Sequence, residues 1–371
     1  MRHRGPLVLL LSLAAGCWSS PAPQFELNTE GHDPASLPMA KRKAVQETLT
    51  RLFGTPDAPS LPAGTPLDLT LHRIGAGPAG ADAAGNQWGL FRRHCAGCHG
   101  VSGDGAGPAA AALDPYPRDF RDGVFKFTST AGGAKPLRAD LLRTLRQGVH
   151  GTAMPSFQKL TDRQLEALVA CVQYLAIRGE TELYVIQQVV DDDAPLPLDA
   201  SEVIDAIVSP TVRSWKEAGA ARIVAPQPVP TATPGTRSAS IARGRTLFNS
   251  SAAQCAKCHG SAGDGHGQQT ELYDRWNQRK VGATPEESRR LASRFRLPVE
   301  RLHARDFTLG AFRGGDRPID QYWRIDAGIK GTPMPASGPA AGSPGALKPN
   351  QIWDLVHFVR SLKGAGDGAM H

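Results

Sequence analysis

The sequence predicts a mainly α protein, made of two tandem helical domains that are joined by a linker and preceded by an N-terminal extension. Three observations support this prediction. A Cys-x-x-Cys-His motif occurs twice, at residues 95–99 and 255–259. Each copy is followed by the same short motifs and then by an amphipathic helical pattern. The length of 371 residues suits two small domains with extensions better than it suits one.

The chain begins with a pattern that is typical of an exported protein. Met1 to Arg4 is basic, Pro6 to Ala15 is nearly all apolar, and small residues directly precede Cys17. Residues 1–16 are therefore predicted to be a signal peptide with a lipobox-like end, and Cys17 is predicted to carry the lipid. The alternative is ordinary cleavage nearby, with Cys17 removed or left free. The first interpretation predicts an exported, periplasmic protein held to a membrane by acyl chains.

The remaining elements follow in order along the chain. Residues 17–86 form the N-terminal extension, 87–180 the first domain, 181–240 the linker and 241–371 the second domain. Each domain closes with an amphipathic helix, and the first of these begins with a capping box of Thr161 and Gln164. Further helices are expected where helix-forming residues or apolar periodicity recur: about Met39 to Phe53, Ser201 to Ala218, Pro285 to Arg296, and from near Asn350.

The Cys-x-x-Cys-His pattern is the attachment signature of haem c. Its two cysteines can form thioethers with the haem vinyl groups, and the following histidine can bind the iron. The sequence therefore predicts two haem c groups, each with one iron. Zinc is the alternative, since paired cysteines also bind zinc. The covalent haem ligands would be Cys95, Cys98, Cys255 and Cys258, and the proximal iron ligands His99 and His259.

Two of the five methionines occupy equivalent Gly-Thr-x-Met-Pro positions downstream of the two motifs. A thioether opposite histidine stabilises ferrous iron and raises the reduction potential. Met154 and Met334 are therefore predicted to be the sixth iron ligands. His150 is a rival for the first iron, but Lys330 stands at its equivalent position, and an exposed loop histidine is the preferred interpretation.

An Arg-Asp-Phe motif also occurs in both halves, at residues 118–120 and 305–307. Arg118 and Arg305 are candidates for contacts with the haem propionates, because a guanidinium group matches the geometry of a carboxylate. The alternative is an Arg-Asp pair that stabilises a turn.

With these motifs the chain resembles the class I c-type cytochromes, and specifically dihaem proteins with two fused cytochrome c domains. The resemblance covers about residues 87–180 and 241–364. It implies two small helical folds, each wrapped around a haem, with the closing helix packed across the haem-bearing helix. The halves differ in two respects. Gln268 stands where the first half has Pro108, and Phe248 precedes its motif by seven residues, whereas Phe91 precedes its own by four.

The resemblance implies electron transfer outside the cytoplasm, between redox protein donors and acceptors such as a quinol-oxidising complex and a terminal oxidase. One alternative is a dihaem enzyme of the peroxidase or thiosulfate dehydrogenase type. Another is the electron-entry subunit of a larger oxidoreductase. Two predicted methionine ligands favour a non-catalytic carrier, because redox catalysis at haem usually requires an open or labile iron.

Composition does not favour nucleic acid as a partner. The formal charge is +7, from 42 basic and 35 acidic residues. Loss of Arg2 and Arg4 with the signal peptide would leave 40 basic residues and a charge of +5. About four ionised haem propionates would bring the mature protein close to neutral. Cys171, the one cysteine without an assigned role, is expected to be buried in the closing helix of the first domain.

Overall fold

The computed structural model describes residues 22–364, except for a set of short gaps: 31, 33, 63–68, 191–197, 229–232, 275–283, 294–295, 340–341 and 343–345. The predicted signal peptide, Cys17 and the acidic run at 191–193 lie outside the described residues. The fold class is confirmed, since the described chain is mainly helical and its sheet is limited to one hairpin of two short strands.

The helices are, in chain order, α1 (Met39–Phe53), α2 (Leu69–Gly75), α3 (Leu90–His94), α4 (Ala96–His99), α5 (Arg138–Gln147), α6 (Asp162–Val190), α7 (Ala200–Val203), α8 (Ser209–Lys216), α9 (Pro234–Phe248), α10 (Cys255–His259), α11 (Pro285–Ala292), α12 (Pro318–Ala327) and α13 (Pro349–Ser361). Strands β1 (Gly80–Ala81) and β2 (Gln87–Trp88) pair antiparallel between α2 and α3. None of the described helices is long and apolar enough to cross a membrane.

The closing helices α6 and α13 organise two separate hydrophobic cores. The predicted capping box begins α6, because the Thr161 amide donates to Oε1 of Gln164 at 2.9 Å and the Gln164 amide donates to Oγ1 of Thr161 at 3.3 Å. Cys171 lies in the first core and is 2% exposed, as predicted. Burial raises the pKa of its thiol, so Cys171 behaves as a small apolar side chain.

Each closing helix crosses a helix that precedes the Cys-x-x-Cys-His motif of its own half. The crossing point is a glycine in both cases, Gly75 on α2 and Gly244 on α9. A Cβ on Gly75 would overlap the carbonyl oxygen of Ala167, and one on Gly244 would overlap that of Asp354. Since Ala167 and Asp354 are equivalent positions of α6 and α13, α2 and α9 are equivalent helices. The packing unit of the first half therefore includes α2, which precedes residue 87.

The N-terminal extension packs against the far end of α6, which continues ten residues beyond position 180. Helix α1 has the predicted bounds, and its buried side chains join the first core. The Tyr174 hydroxyl donates to the Phe53 carbonyl at 2.6 Å, and Lys41 Nζ donates to the Val189 carbonyl at 2.7 Å. The extension is thus an integral part of the first half.

The segment at residues 221–226 makes hydrogen bonds with both halves of the protein. The Ile223 amide donates to the Ser129 carbonyl at 2.9 Å in the first half. Trp323 Nε1 donates to the Ile223 carbonyl at 3.3 Å, and Trp353 Nε1 donates to the Pro226 carbonyl at 2.9 Å in the second half. These contacts hold the two cores together through the linker.

The other predicted helices are present, and the one predicted over Pro285 to Arg296 ends earlier, at Ala292. Residues 200–221 form a continuous helical segment that starts with α7 and ends in a 3-10 turn, and α11 and α13 begin at Pro285 and Pro349. The longer spacing after Phe248 forms a turn in which Gln254 takes a left-handed backbone with a φ of 51°. This turn leads directly into α10, which begins at Cys255.

Candidate functional site

The histidine of each Cys-x-x-Cys-His motif lies at the end of a short helix and faces a backbone carbonyl. Nδ1 of His99 lies 3.0 Å from the Arg118 carbonyl oxygen, and Nδ1 of His259 lies 2.9 Å from that of Arg305. A carbonyl can only accept, so Nδ1 is the protonated nitrogen and Nε2 keeps a free lone pair. Metal-binding histidines are commonly oriented in this way by a second partner. Both side chains therefore fit the predicted role of iron ligand.

Burial lowers the pKa of both imidazoles, and for His259 this effect is stronger than the opposing hydrogen bond to Arg305. A lower pKa keeps the imidazole neutral, which is the form that binds a metal.

A phenylalanine stacks on each of these imidazoles. The ring of Phe120 lies 4.6 Å from that of His99 at an interplanar angle of 19°, and Phe307 lies 4.6 Å from His259 at 27°. Both belong to the repeated Arg-Asp-Phe motif, in which the arginine carbonyl holds Nδ1. One motif therefore fixes both the tautomer and the plane of the ring.

The glycine-rich segment after each motif folds back onto the motif. The Gly105 amide donates to the His99 carbonyl at 3.0 Å, and the Gly265 amide donates to the His259 carbonyl at 2.9 Å. A Cβ on Gly107 would lie 2.7 Å from the carbonyl carbon of Cys98. This close approach explains why the segment needs glycine at position 107.

The predicted thioether cysteines lie at the edges of the two cores. Cys95 packs beside the first core and Cys255 beside the second. Burial raises the pKa of Cys95 to about 12 and that of Cys255 to about 11. An uncharged sulfur is therefore favoured at these positions, and a thioether is uncharged. Cys98 and Cys258 are half-buried on the same helical turns.

The two predicted methionine ligands lie in loops with the same hydrogen bonds. In the first loop, the Thr152 hydroxyl donates to the Val149 carbonyl at 2.8 Å and accepts from the Met154 amide at 3.1 Å. In the second, Thr332 Oγ1 makes the equivalent bonds to Ile329 at 2.7 Å and from Met334 at 3.3 Å. Each threonine thus fixes the backbone at its methionine. Both methionine side chains are half-buried.

The two arginines of the Arg-Asp-Phe motifs extend across the boundary between the halves. The Arg118 guanidinium lies against Gly331 in the second methionine loop, and that of Arg305 lies against Gly151 in the first. The turn-stabilising alternative does not describe either arginine, because Asp119 pairs with Arg121 at 2.8 Å and Asp306 accepts from the Thr308 amide at 2.8 Å.

Phe120, Phe307 and the two arginine carbonyls orient the histidines but were not among the predicted site residues. The repeat of the whole Arg-Asp-Phe motif was a signal for them. His150 is exposed, as expected for a loop histidine. Among the described residues, no group of three or more His, Cys, Asp and Glu side chains is arranged to hold a metal ion.

Comparison with known families assigns each half separately. Residues 82–172 match cytochrome c oxidase, cbb3-type, subunit III, and residues 241–363 match cytochrome c. Both halves are cytochrome c domains. The chain is accordingly a dihaem c-type cytochrome with two covalently bound haem c groups. The neutral imidazoles with a free Nε2, the paired cysteines and the glycine-rich surfaces fit these groups.

The structure also resembles a solved complex. It matches a chain of the Kuenenia stuttgartiensis reducing HAO-like protein complex Kustc0457/Kustc0458 with a TM-score of 0.51 and 25% sequence identity. The similarity covers 74% of this cytochrome and 94% of that chain. No curated protein sequence matches the cytochrome significantly.

Proposed function

We propose that this cytochrome is an electron carrier in which both irons are ligated by histidine and methionine, and that it works outside the cytoplasm between respiratory-chain partners. Cytochrome c domains imply electron transfer. The observation that carries the proposal is the equivalence of the two methionine loops, whose threonine hydroxyls make the same two backbone hydrogen bonds.

The residues of the chain contribute to electron transfer mainly by holding the iron ligands in a fixed geometry. Each haem, when bound, supplies an iron that can hold or release one electron. The Arg118 and Arg305 carbonyls fix the His99 and His259 rings, and the stacked phenylalanines prevent those rings from turning. Met154 and Met334 would fill the opposite iron positions. A site with both positions filled changes little in geometry when its charge changes, and it offers no open position to a peroxide or a sulfur substrate.

Carbon monoxide tests the proposal, because it binds ferrous haem only where a coordination position is open or weakly held. The reduced protein is expected to show two low-spin, six-coordinate haems and to bind carbon monoxide poorly. Rapid, stoichiometric binding at one haem would instead support an enzyme of the peroxidase or thiosulfate dehydrogenase type.

A second candidate function is that of the electron-transfer subunit of a larger oxidoreductase. The similarity to a chain of the reducing HAO-like protein complex favours this candidate. Co-purification of the native protein from its membranes distinguishes the two functions. A stable complex in fixed stoichiometry supports the subunit, whereas a free protein that is reduced by a quinol-oxidising complex and oxidised by a terminal oxidase supports the carrier.

We also propose that Cys17 carries the lipid that holds the protein to a membrane on the periplasmic side. The supporting observation is the basic and apolar leader that ends in Ala-Ala-Gly before Cys17. Cys17→Ala is expected to abolish labelling by a radioactive fatty acid and to release the cytochrome into the soluble fraction. Cys171→Ala serves as the control and should leave labelling unchanged. Unchanged labelling of the Cys17→Ala protein would reject the anchor.

A further inference from the structure

Two pairs of cations occupy equivalent positions at the boundary between the cytochrome domains. Arg118 and Arg305 come from the two Arg-Asp-Phe motifs, and Lys126 and Arg313 each follow eight residues later. In each domain the second cation directly follows a phenylalanine that stacks on the phenylalanine of the motif, at 6.0 Å for Phe125 and 6.2 Å for Phe312. The repeat therefore places four cationic side chains at the domain boundary.

Three of these side chains, those of the arginines, reach the methionine loop of the opposite domain. A Cβ on Gly331 would lie 3.2 Å from Nη1 of Arg118, and one on Gly151 would lie 2.6 Å from Nη2 of Arg305. Nη2 of Arg313 also donates to the Gly151 carbonyl at 3.1 Å. Each of these glycines precedes a predicted methionine ligand by three residues. The cations of one domain therefore lie beside the haem site of the other.

The protein itself supplies too few anions to balance this cluster. Asp274 is its ion-pair partner, at 2.9 Å from Lys126 Nζ and 3.7 Å from Arg118 Nη2. Asp114 acts on Arg313 at longer range. Among the described residues, Arg118 Nε and Nη2 and Arg313 Nε are buried and have no hydrogen-bond partner. Asp306 also acts on Arg305. Four cations against these three carboxylates leave an excess positive charge in a poorly solvated place.

Burying such an excess of positive charge raises the free energy of the folded protein unless an anion enters the cluster. Burial lowers the pKa of Lys126, and the neighbouring Arg118 lowers it further. Burial lowers the pKa of Arg313, and Arg305 adds to that effect. Arg313 also lowers the pKa of Lys126, so cations of the two domains act on each other across the boundary. The unpartnered N–H groups are the donors that a carboxylate would accept from.

The guanidinium groups of the cluster indicate that its ligand is a carboxylate. Guanidinium groups bind carboxylates through paired hydrogen bonds, and each haem c carries two propionate carboxylates. Arg118 and Arg305 also hold Nδ1 of the two proximal histidines through their backbone carbonyls, so both side chains start beside a haem site. We propose that Arg118, Lys126, Arg305 and Arg313 form one propionate clamp, shared by both haems, which couples their reduction potentials across the domain boundary.

This proposal deepens the proposed function and rests on it. The loss of one clamp cation removes positive charge from the surroundings of both haems. Ferric haem, which carries one more positive charge than ferrous haem, then becomes relatively more stable at both sites. Arg118→Gln is therefore expected to lower both reduction potentials, and Arg305→Gln is expected to do the same.

The experiment is a spectroelectrochemical titration of the full-length holoprotein with Arg118→Gln, Arg305→Gln and Arg163→Gln. Arg163 is an exposed residue near the start of α6, so Arg163→Gln removes the same charge away from the clamp. Shifts of both potentials in each clamp variant, larger than in the Arg163→Gln protein, support the proposal. A shift of one potential alone, or shifts no larger than those of the control, would overturn it.

Two further measurements keep this test decisive. Arg118→Lys keeps the charge and loses the paired hydrogen bonds, so it should restore only part of each shift. If Arg118→Gln loses haem or does not fold, Arg313→Gln replaces it, because Arg313 belongs to the same clamp and its Nη2 donates to the Gly151 carbonyl. Carbon monoxide binding, measured on the same samples, reports the carrier function separately. Unshifted potentials without carbon monoxide binding would reject the clamp and leave the carrier function standing.

Discussion

The ring of Phe120 lies flat on the imidazole of His99, with ring centroids 4.6 Å apart and an interplanar angle of 19°. Phe307 and His259 repeat this relationship in the second domain. Because Nδ1 of each histidine also donates to a backbone carbonyl, neither imidazole can rotate without losing one of its two contacts.

Phe120→Leu is expected to cost about 1 kcal/mol of stability, the contribution of a stacked aromatic pair beyond its buried area. It should also broaden one of the two ferric electron paramagnetic resonance signals, because the imidazole gains rotational freedom. Phe53→Leu is the matched control, since Phe53 is fully buried in the same core away from both histidines. Two sharp, unchanged signals in the Phe120→Leu protein would show that the stacking does not orient the ligand.

Met154→Ala and Met334→Ala are each expected to open one iron and to lower one reduction potential. The reason is that axial ligands set haem potentials over a range of about 0.8 V, and a thioether favours ferrous iron. Potentiometry and carbon monoxide titration measure the two effects. Met39→Ala is the control, because Met39 is 79% exposed. An unchanged potential and no gain in carbon monoxide binding would reject the methionine concerned.

Gly75→Ala and Gly244→Ala are each expected to destabilise one domain by about 1–3 kcal/mol, the usual cost of overpacking. In both cases the added methyl group overlaps a backbone carbonyl of the crossing helix. Gly235→Ala is the matched control for Gly244→Ala, since Gly235 lies on the same helix and has no neighbour within 4 Å. Denaturant unfolding measures all three. A neutral result at Gly75 would contradict the equivalence of α2 and α9.

Acid is expected to destabilise the first domain through His72, which lies 4.6 Å from the Tyr174 ring. Burial lowers the pKa of His72 from 6.5 to about 4. Between these values the unfolded chain binds a proton that the folded chain does not, so stability falls as the pH decreases through this window. At about 1.4 kcal/mol per pKa unit, the loss is on the order of 3 kcal/mol.

His72→Phe should remove this contribution and flatten the dependence of unfolding free energy on pH between about 6.5 and 4. His150→Phe is the control, because His150 is exposed on a loop. Equal slopes for the wild-type and His72→Phe proteins would show that the protonation of His72 is not linked to unfolding.

Much of the fold was predictable because its signals are local. The bounds of α1 and the capping box of α6 follow from residues within one or two helical turns. The haem motifs are local as well. The short helix α2 has too few residues for a periodic pattern, and its role depends on the contact of Gly75 with a helix about 90 residues later. Sequence reasoning therefore placed it in the extension.

The candidate haem ligands could be named from the sequence, and the groups that orient their side chains could not. The cysteines, histidines and methionines belong to motifs that can be recognised in a single sequence. The partner of each imidazole is a backbone carbonyl, which any residue supplies and no motif marks. Arg118 and Arg305 could be named as propionate candidates from their repeated motif. Their contacts with the opposite domain depend on how the two domains pack, which the motif does not show.

Near-infrared magnetic circular dichroism of the fully oxidised protein measures the axial ligation itself, because its charge-transfer bands identify the axial ligands of low-spin ferric haem. We expect histidine and methionine ligation at both haems, with the signal halved in Met154→Ala and in Met334→Ala. A high-spin haem, or a haem with two nitrogen ligands, at either site of the wild-type protein would contradict it.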